Sequence, residues 1–184
     1  MSLLPNITNI TLESETINYD DTKIITAKDD VKVMVDEYII QTDDFFYDSN
    51  QSIFHFGDNT RIKDTSENIV TLNNLYINIP QETGSCGAFQ FQGNNLYFYG
   101  DSATLSKETV SVKNVVYSTC YLDPKTTGAY HISSRSIRVY PTRGAFVATH
   151  NFLYIWKLPV FYFPRLLYQQ QPYVILEGEE TQNT

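Results

Sequence analysis

A chain of 184 residues, 42% of them hydrophobic and 18% charged, is expected to form one folded domain rather than a disordered segment. The formal net charge of −8 argues against a nucleic-acid partner, which would require a basic patch, and against a domain held flat on an anionic membrane. No apolar run reaches the roughly 18 residues of a transmembrane helix. Residues 1–15 lack the basic and apolar regions of a signal peptide and are interpreted as a leader or start segment.

Strand patterns follow one another along the rest of the chain. Polar and apolar residues alternate in VKVMVDEYIIQT (31–42), SIFHFGD (52–58) and FQFQGNNLYFYG (89–100), and HISSRSIRVYPTRG (131–144) ends in Pro and Gly. The break after Gly93 is a hairpin signal. No segment places apolar residues at helical spacing over three turns. With 14 Tyr and 11 Phe, the sequence predicts an all-β fold.

A weak repeat links two parts of this pattern. At an offset of 29 residues, KIITAKDDVKV (23–33) aligns with SIFHFGDNTRI (52–62), and IQTDDFFYD (40–48) aligns with IVTLNNLYI (69–77). Repeats of this length are typical of stacked units that cannot bury their apolar face alone. We therefore predict stacked hairpins or V-shaped strand pairs, folded like a partly closed clam.

The inward positions of such a stack are bulky and apolar. They are Ile25, Val33, Val35, Phe54, Phe56, Ile62, Leu75, Ile77, Phe89, Phe91, Leu96 and Phe98. If two layers pack tightly, these residues form an ordinary core. If the layers splay, the same residues line a trough that binds acyl chains at about 0.8 kcal/mol per methylene.

Catalytic and metal-binding patterns are weak. His55, His131 and His150 lack the spacing of a metal motif, and no G-x-S-x-G elbow or phosphate-binding glycine loop is present. We predict neither an enzyme nor a cofactor. The spacing of Cys86 and Cys120 fits no metal motif, and the sequence leaves open whether they are separate thiols or form a disulfide, with each other or with a missing segment.

Residues 115–164 resemble the end of the periplasmic domain of the LptD/OstA family of lipopolysaccharide-assembly outer-membrane proteins. YSTCYLD resembles the family's TTC-x-x-D element, and AYHISSRSIRVYPTRGAFVATHN resembles its next two strands, with Tyr130 at the family's Trp position. LPVFYFP resembles its (I/V)PVFY-x-P signature, and ITAKDDVKVMVDEYIIQTDDFFYD resembles its OstA-type repeats. The resemblance covers roughly residues 16–164.

The resemblance implies a β-taco or open β-jellyroll of stacked antiparallel strands with an apolar groove. In that family, lipopolysaccharide moves along the groove through the periplasm toward an outer-membrane barrel and its lipoprotein plug, and similar bridge domains dock end to end. The implied groove adds five residues, Val139, Phe146, Phe152, Tyr154 and Trp156. The matching hinge to the barrel is Pro159, Val160, Phe161, Tyr162, Phe163 and Pro164, and the alternative for these six residues is a final edge strand.

The chain also departs from the family. Residues 165–184 are too few to form a barrel and are interpreted as a polar tail, which leaves 16–164 as the predicted domain. Cys120 matches the motif cysteine of the family, whose disulfides tie this domain to the barrel. Two other functions stay open: a structural β-solenoid scaffold with a sealed core that assembles through edge strands, and a carbohydrate-active β-helix enzyme, for which no acidic cluster is found.

Overall fold

The computed structural model describes residues 10–93, 96–119 and 130–169 as one antiparallel sheet of 16 strands. The strands are β1 Ile10–Glu13, β2 Thr16–Tyr19, β3 Ile24–Val35, β4 Tyr38–Asp48, β5 Ile53–Phe56, β6 Thr60–Lys63, β7 Ile69–Leu72, β8 Leu75–Asn78, β9 Thr83–Cys86, β10 Phe89–Gly93, β11 Leu96–Gly100, β12 Ser102–Ser106, β13 Thr109–Ser118, β14 Tyr130–Tyr140, β15 Ala145–Ile155 and β16 Leu158–Gln169. The predicted all-β, jellyroll-like class of fold is confirmed. The helical content of these residues is one 3₁₀ turn, Pro141–Arg143, and none of their helices is long and apolar enough to cross a membrane.

The chain crosses the sheet back and forth as a meander, and each crossing is bent near its middle. One half of β4 pairs with β5 and the other half with β6, and β13 is likewise shared between β12 and β11. We call each pass of the chain a level. The levels, in order, are β1 with β2, β3, β4, β5 with β6, β7 with β8, β9 with β10, β11 with β12, β13, β14, β15 and β16.

Every level therefore contributes to two arms that meet along a line of corners, the crease. Arm A contains β1, β6, β7, β10, β11 and residues 31–35, 38–42, 115–118, 130–134, 151–155 and 158–163. Arm B contains β2, β5, β8, β9, β12 and residues 24–28, 44–48, 109–113, 136–140, 145–149 and 165–169.

Short polar side chains form the corners. Asp29, Asp30, Asn59, Asn74, Asn114 and His150 have positive φ angles, between 48° and 63°. Asn and Asp adopt this left-handed conformation more readily than bulky or branched residues do. Hydrogen bonds link neighbouring corners: Asn74 Nδ2 donates to Asp58 Oδ1 at 2.6 Å, and the Asn59 backbone N–H donates to Asn73 Oδ1 at 3.1 Å.

The two arms face each other and share two apolar cores. The first core joins Val31, Val33 and Ile40 of arm A to Phe45 and Phe56 of arm B. The second core has Val112, Val115, Ile137 and Ala148 at its centre, with Phe98 among the residues packed against it. Each phenylalanine buried in this way contributes about 2–3 kcal/mol. We call the face that each arm turns toward the other its inner face.

The predicted 29-residue repeat is confirmed at the level of strands. The two halves of β3 align with β5 and β6, and the two halves of β4 align with β7 and β8. The corner residue Asp30 falls on Asn59, and both have positive φ angles. One repeat is therefore two levels, one running in each direction.

The predicted domain limits of 16 and 164 are too narrow. β1, inside the predicted leader, pairs with β3, and Leu12 packs against the first core. β16 continues through 165–169 opposite β15, where the sequence predicted the beginning of a polar tail. Proline interrupts the strand pattern at Pro164, but this residue lies at a corner between two paired segments. Residues 170–184 lie outside the described residues.

Candidate functional site

Four rows of side chains run along the inner faces, because paired residues on adjacent antiparallel strands share a face. Two rows lie beside the corners, and we call them the crease rows. Arm A contributes Val31, Thr42, Thr60, Leu72, Phe89, Gly100, Val115, Ser134, Asn151 and Phe163, and arm B contributes Ile17, Ala27, Phe45, Phe56, Leu75, Cys86, Ala103, Val112, Ile137, Ala148 and Leu166.

Two further rows lie one position farther from the corners, and we call them the mouth rows. The mouth row of arm A is Leu12, Val33, Ile40, Ile62, Val70, Phe91, Phe98, Tyr117, Ile132, Leu153 and Phe161. The mouth row of arm B is Tyr19, Ile25, Tyr47, Phe54, Ile77, Gly84, Leu105, Val110, Val139, Phe146 and Tyr168. Every residue in these two rows except Gly84 is aliphatic or aromatic.

Burial differs between the two kinds of row. In the crease rows, Val31, Val115 and Ala148 are fully buried. In the mouth rows, buried side chains such as Val33 and Phe54 occur only in the first levels. From β6 and β8 to β15, every mouth-row side chain keeps part of its surface exposed. The mouth rows are therefore most completely buried at the first levels, and we call the partly exposed inner faces of the later levels, from β6 and β8 to β15, the trough.

Contacts at the bottom of the trough are tight. A Cβ atom added to Gly100 would lie 2.7 Å from the Phe89 ring of arm A and 2.8 Å from Val112 of arm B. Glycine is required there because the two arms approach each other so closely. Farther from the crease, Phe98 lies with its ring centroid 5.8 Å from that of Phe89 and 6.4 Å from that of Tyr117.

Polar side chains in the crease are paired with each other. Thr42 and Thr60 share a hydrogen bond of 2.9 Å, and Ser134 Oγ donates to Asn151 Oδ1 at 2.6 Å. Asn151 Nδ2 also donates to the Phe163 carbonyl oxygen at 3.1 Å. These groups are therefore satisfied within the protein.

The structure brings most of the predicted groove residues onto the inner faces. Ile25, Val33, Val35, Phe54, Phe56, Ile62, Leu75 and Ile77 belong to the first core. Phe89, Phe98, Val139 and Phe146 pack against the second core. Phe91 and Leu96 lie on the same face of arm A as Phe98, and Leu96 is 39% exposed.

The prediction is wrong for Phe152 and Tyr154. Phe152 pairs with Ser133 and Tyr154 with His131, whereas the inner-face row runs through Leu153. The corner at His150 inserts one residue into the alternation, so the even-numbered positions that face inward in arm B face outward in arm A. Trp156 lies in the turn before β16, is 71% exposed and belongs to neither mouth row.

Sequence reasoning missed several mouth-row residues for the same reason. Tyr117, Ile132 and Leu153 face the trough, but each lies beyond a corner at Asn114, Arg135 or His150. At two of these corners the available signal was a polar residue, Asn114 or His150, in the middle of a long strand pattern.

The predicted hinge residues lie in β16, which pairs with β15 and is the edge strand among the described residues. Pro159 is opposite Tyr154, and Pro164 lies at the corner between the paired residues Phe163 and Arg165. Val160, Phe161, Tyr162 and Phe163 are between 37% and 57% exposed. The edge-strand alternative therefore describes the arrangement of these residues, and a role as a hinge stays a prediction.

The two cysteines and the predicted absence of a metal site complete the comparison. Cys86 lies on the inner face of arm B opposite Ala103 and is partly buried, and burial raises the pKa of its thiol. Cys120 lies outside the described residues, so its pairing stays a prediction. Within 10–93, 96–119 and 130–169, no three His, Cys, Asp or Glu side chains are grouped closely enough to hold a metal ion.

Comparison with known proteins adds no assignment. No protein-family model and no curated protein matches the sequence. The fold and the trough are therefore the basis for inferring function.

Proposed function

We propose that this chain is a lipid-conducting domain that passes lipopolysaccharide or a related lipid along its trough toward an outer-membrane barrel. The observation that supports the proposal is the pair of mouth rows, which stay partly exposed from β6 and β8 to β15. A trough of this kind gains about 0.8 kcal/mol for each methylene that leaves water. Sugars attached to the lipid would remain in solvent beyond the mouth rows.

The proposal places the protein in the periplasm as a non-enzymatic carrier without a cofactor. Similar bridge domains would add a strand to the edge formed by β1 and β2, which within the described part of the chain pair with β3 alone. The barrel and its lipoprotein plug would lie at the β16 end, in line with the resemblance of LPVFYFP to the family signature.

Photo-crosslinking tests the proposal with neighbours on opposite faces as controls. A photoreactive side chain replaces Phe98 or Val139 in the mouth rows, or Arg138 or Lys113 on the outer face. Val139 and Arg138 are adjacent in β14, so they differ in face and little else. After ultraviolet irradiation with lipopolysaccharide, we expect adducts from positions 98 and 139 at several times the yield from positions 138 and 113.

Equal yields from both faces would contradict the proposal, because they would show contact without entry into the trough. A second experiment with Phe56, which is 3% exposed in the closed first core, gives a position-dependent control. Little adduct is expected there, since the side chain has no open surface.

A sealed scaffold that assembles through edge strands is the second candidate function. The fully buried Val31 and Val33 of the first core and the exposed edge strand β16 favour it. It predicts filaments at high protein concentration, visible by electron microscopy, together with no lipid adduct from Phe98. Monomers at the same concentration with strong adducts would exclude it.

A further inference from the structure

Charge is divided unequally between the two halves of the stack. Residues 10–79, which form β1 to β8, contain 14 acidic and five basic side chains, a formal charge of −9. The described residues from 80 to 169, which form β9 to β16, contain three acidic and seven basic side chains, a formal charge of +4. The net charge of −8 argued against contact with an anionic membrane. This value is the sum over an acidic first half and a second half whose described residues carry a net positive charge.

The basic side chains of the second half are exposed and close to β16. Arg165 lies in β16 itself, and Arg138 and Lys113 lie on the same outer face of arm B. Their rows continue through serine, threonine, valine and leucine, without an acidic side chain among the described residues. Arg143, whose Nη2 lies 4.0 Å from Glu108 Oε2, and Lys157 lie in turns near opposite ends of β16, so a cation lies near each tip of the strand.

Apolar side chains are exposed along the same strand. Leu158 is 71%, Leu167 62% and Phe161 57% exposed. Trp156, the single tryptophan of the chain, precedes Lys157 and is 71% exposed. Tryptophan, tyrosine and basic residues around an apolar strip are typical of surfaces that sit at the headgroup level of a bilayer.

We propose that the β16 end, residues 156–169 with Arg138 and Arg143, docks on the surface of an anionic lipid bilayer. A flat anionic surface contacts cations at both tips of the strand at once. Pro159 and Pro164 remove two backbone donors, which makes β16 a poor edge for a continuous added strand and favours lipid over a protein strand. Contact is expected to be shallow, because a backbone N–H or C=O group without a hydrogen-bond partner is costly within the hydrocarbon region. This inference does not depend on lipid transport through the trough.

Trp156 reports on the contact without a label. The full chain is mixed with intact phosphatidylcholine vesicles, with or without 30 mol% phosphatidylglycerol. We expect flotation with the anionic vesicles, a blue shift of the Trp156 emission, and apparent binding about tenfold tighter than to the zwitterionic vesicles. Bromines near the headgroup should quench the emission more than bromines at mid-chain, and added salt should weaken the binding.

Matched triple variants distinguish binding through the basic residues near β16 from a general effect of removing three positive charges. R138Q/K157Q/R165Q should lose about tenfold in binding to the anionic vesicles, whereas K28Q/K32Q/R61Q in the acidic half should bind like the unchanged chain. Circular dichroism checks that both variants are folded.

Equal binding to both kinds of vesicle, or equal loss in both triple variants, would overturn the proposal. So would a blue shift that rises with protein concentration in the absence of vesicles, since that result would assign the basic end to the acidic half of a second copy. Lipid crosslinking at Phe98 is measured separately, so failure of one proposal leaves the other tested on its own.

Discussion

His131 is a buried polar side chain whose Nδ1 has no hydrogen-bond partner in the described part of the chain. Its ring stacks on Tyr154 with the centroids 4.7 Å apart, and the residue is 6% exposed. Burial lowers the pKa of the imidazole below its usual value of 6.5. The charged form is disfavoured in the folded protein because burial removes water from the imidazole.

This arrangement predicts a pH-dependent stability. Unfolding exposes His131, so the unfolded chain binds an extra proton once the pH falls below 6.5. The stabilisation is complete above pH 6.5 and is lost as the pH falls toward the lower pKa of the folded state. Urea unfolding at pH 7.5 and 5.5 should show a larger decrease for the unchanged chain than for His131→Phe, which keeps a ring on Tyr154 but cannot titrate. Parallel decreases in the two proteins would contradict this assignment.

At the scale of the element, the corners decide which side chains face the trough. Each strand pattern is amphipathic on its own, but a corner such as His150, between the inward Ala148 and Asn151, exchanges the inner and outer positions of the second half. The corner at Asn59 keeps the alternation and shows the backbone requirement instead: its φ is 57°, its side chain is exposed, and its backbone N–H bonds to Asn73 Oδ1. The constraint at this position is therefore conformational.

Substitutions at Asn59 should separate conformation from contact. Asn59→Val should lower the free energy of unfolding by about 1–2 kcal/mol, because a β-branched residue is strained at positive φ. Asn59→Gly should change it by less than about 0.5 kcal/mol. The same change in an exposed edge strand, Asn18→Val, should be neutral or stabilising. Equal destabilisation by Asn59→Val and Asn59→Gly in urea titrations would show that a side-chain contact is responsible instead.

For the whole molecule, the unit of construction is a pair of levels. Each level contacts mainly the levels before and after it, so stability is expected to be a sum of local terms, as in other repeat proteins. A pair of levels returns the chain to its starting direction, and the 29-residue repeat is therefore the shortest unit that can be removed without reversing later strands.

Deleting one or two levels tests whether a pair of levels is the unit of construction. Removing 50–78, two levels, should leave a less stable protein that is still folded and unfolds cooperatively, because the strand directions and the inner faces are retained. Removing only 50–64, one level, should abolish cooperative unfolding, since every later strand would run the wrong way. Circular dichroism during thermal unfolding distinguishes the outcomes. Similar melting of both deletions would contradict a two-level unit.

Much of the trough was accessible from alternation alone, as the positions of Phe54, Phe98 and Phe146 demonstrate. The prediction from alternation was wrong at Phe152, because the alternation of polar and apolar residues does not show that the strand turns a corner at His150. The strand role of Arg165 was missed for a related reason: Pro164 ends a strand pattern in sequence, yet in three dimensions it lies at a corner and pairing resumes after it.

The sequence by itself determined the all-β class, the 29-residue repeat and the apolar character of the inner rows, because these depend on local alternation and composition. Only the tertiary structure decided which half of each long strand faces inward, how far the arms close, and that the basic residues gather at the β16 end. These properties depend on corners and on pairing between levels that are distant in sequence, where one inserted residue changes the face of every side chain that follows.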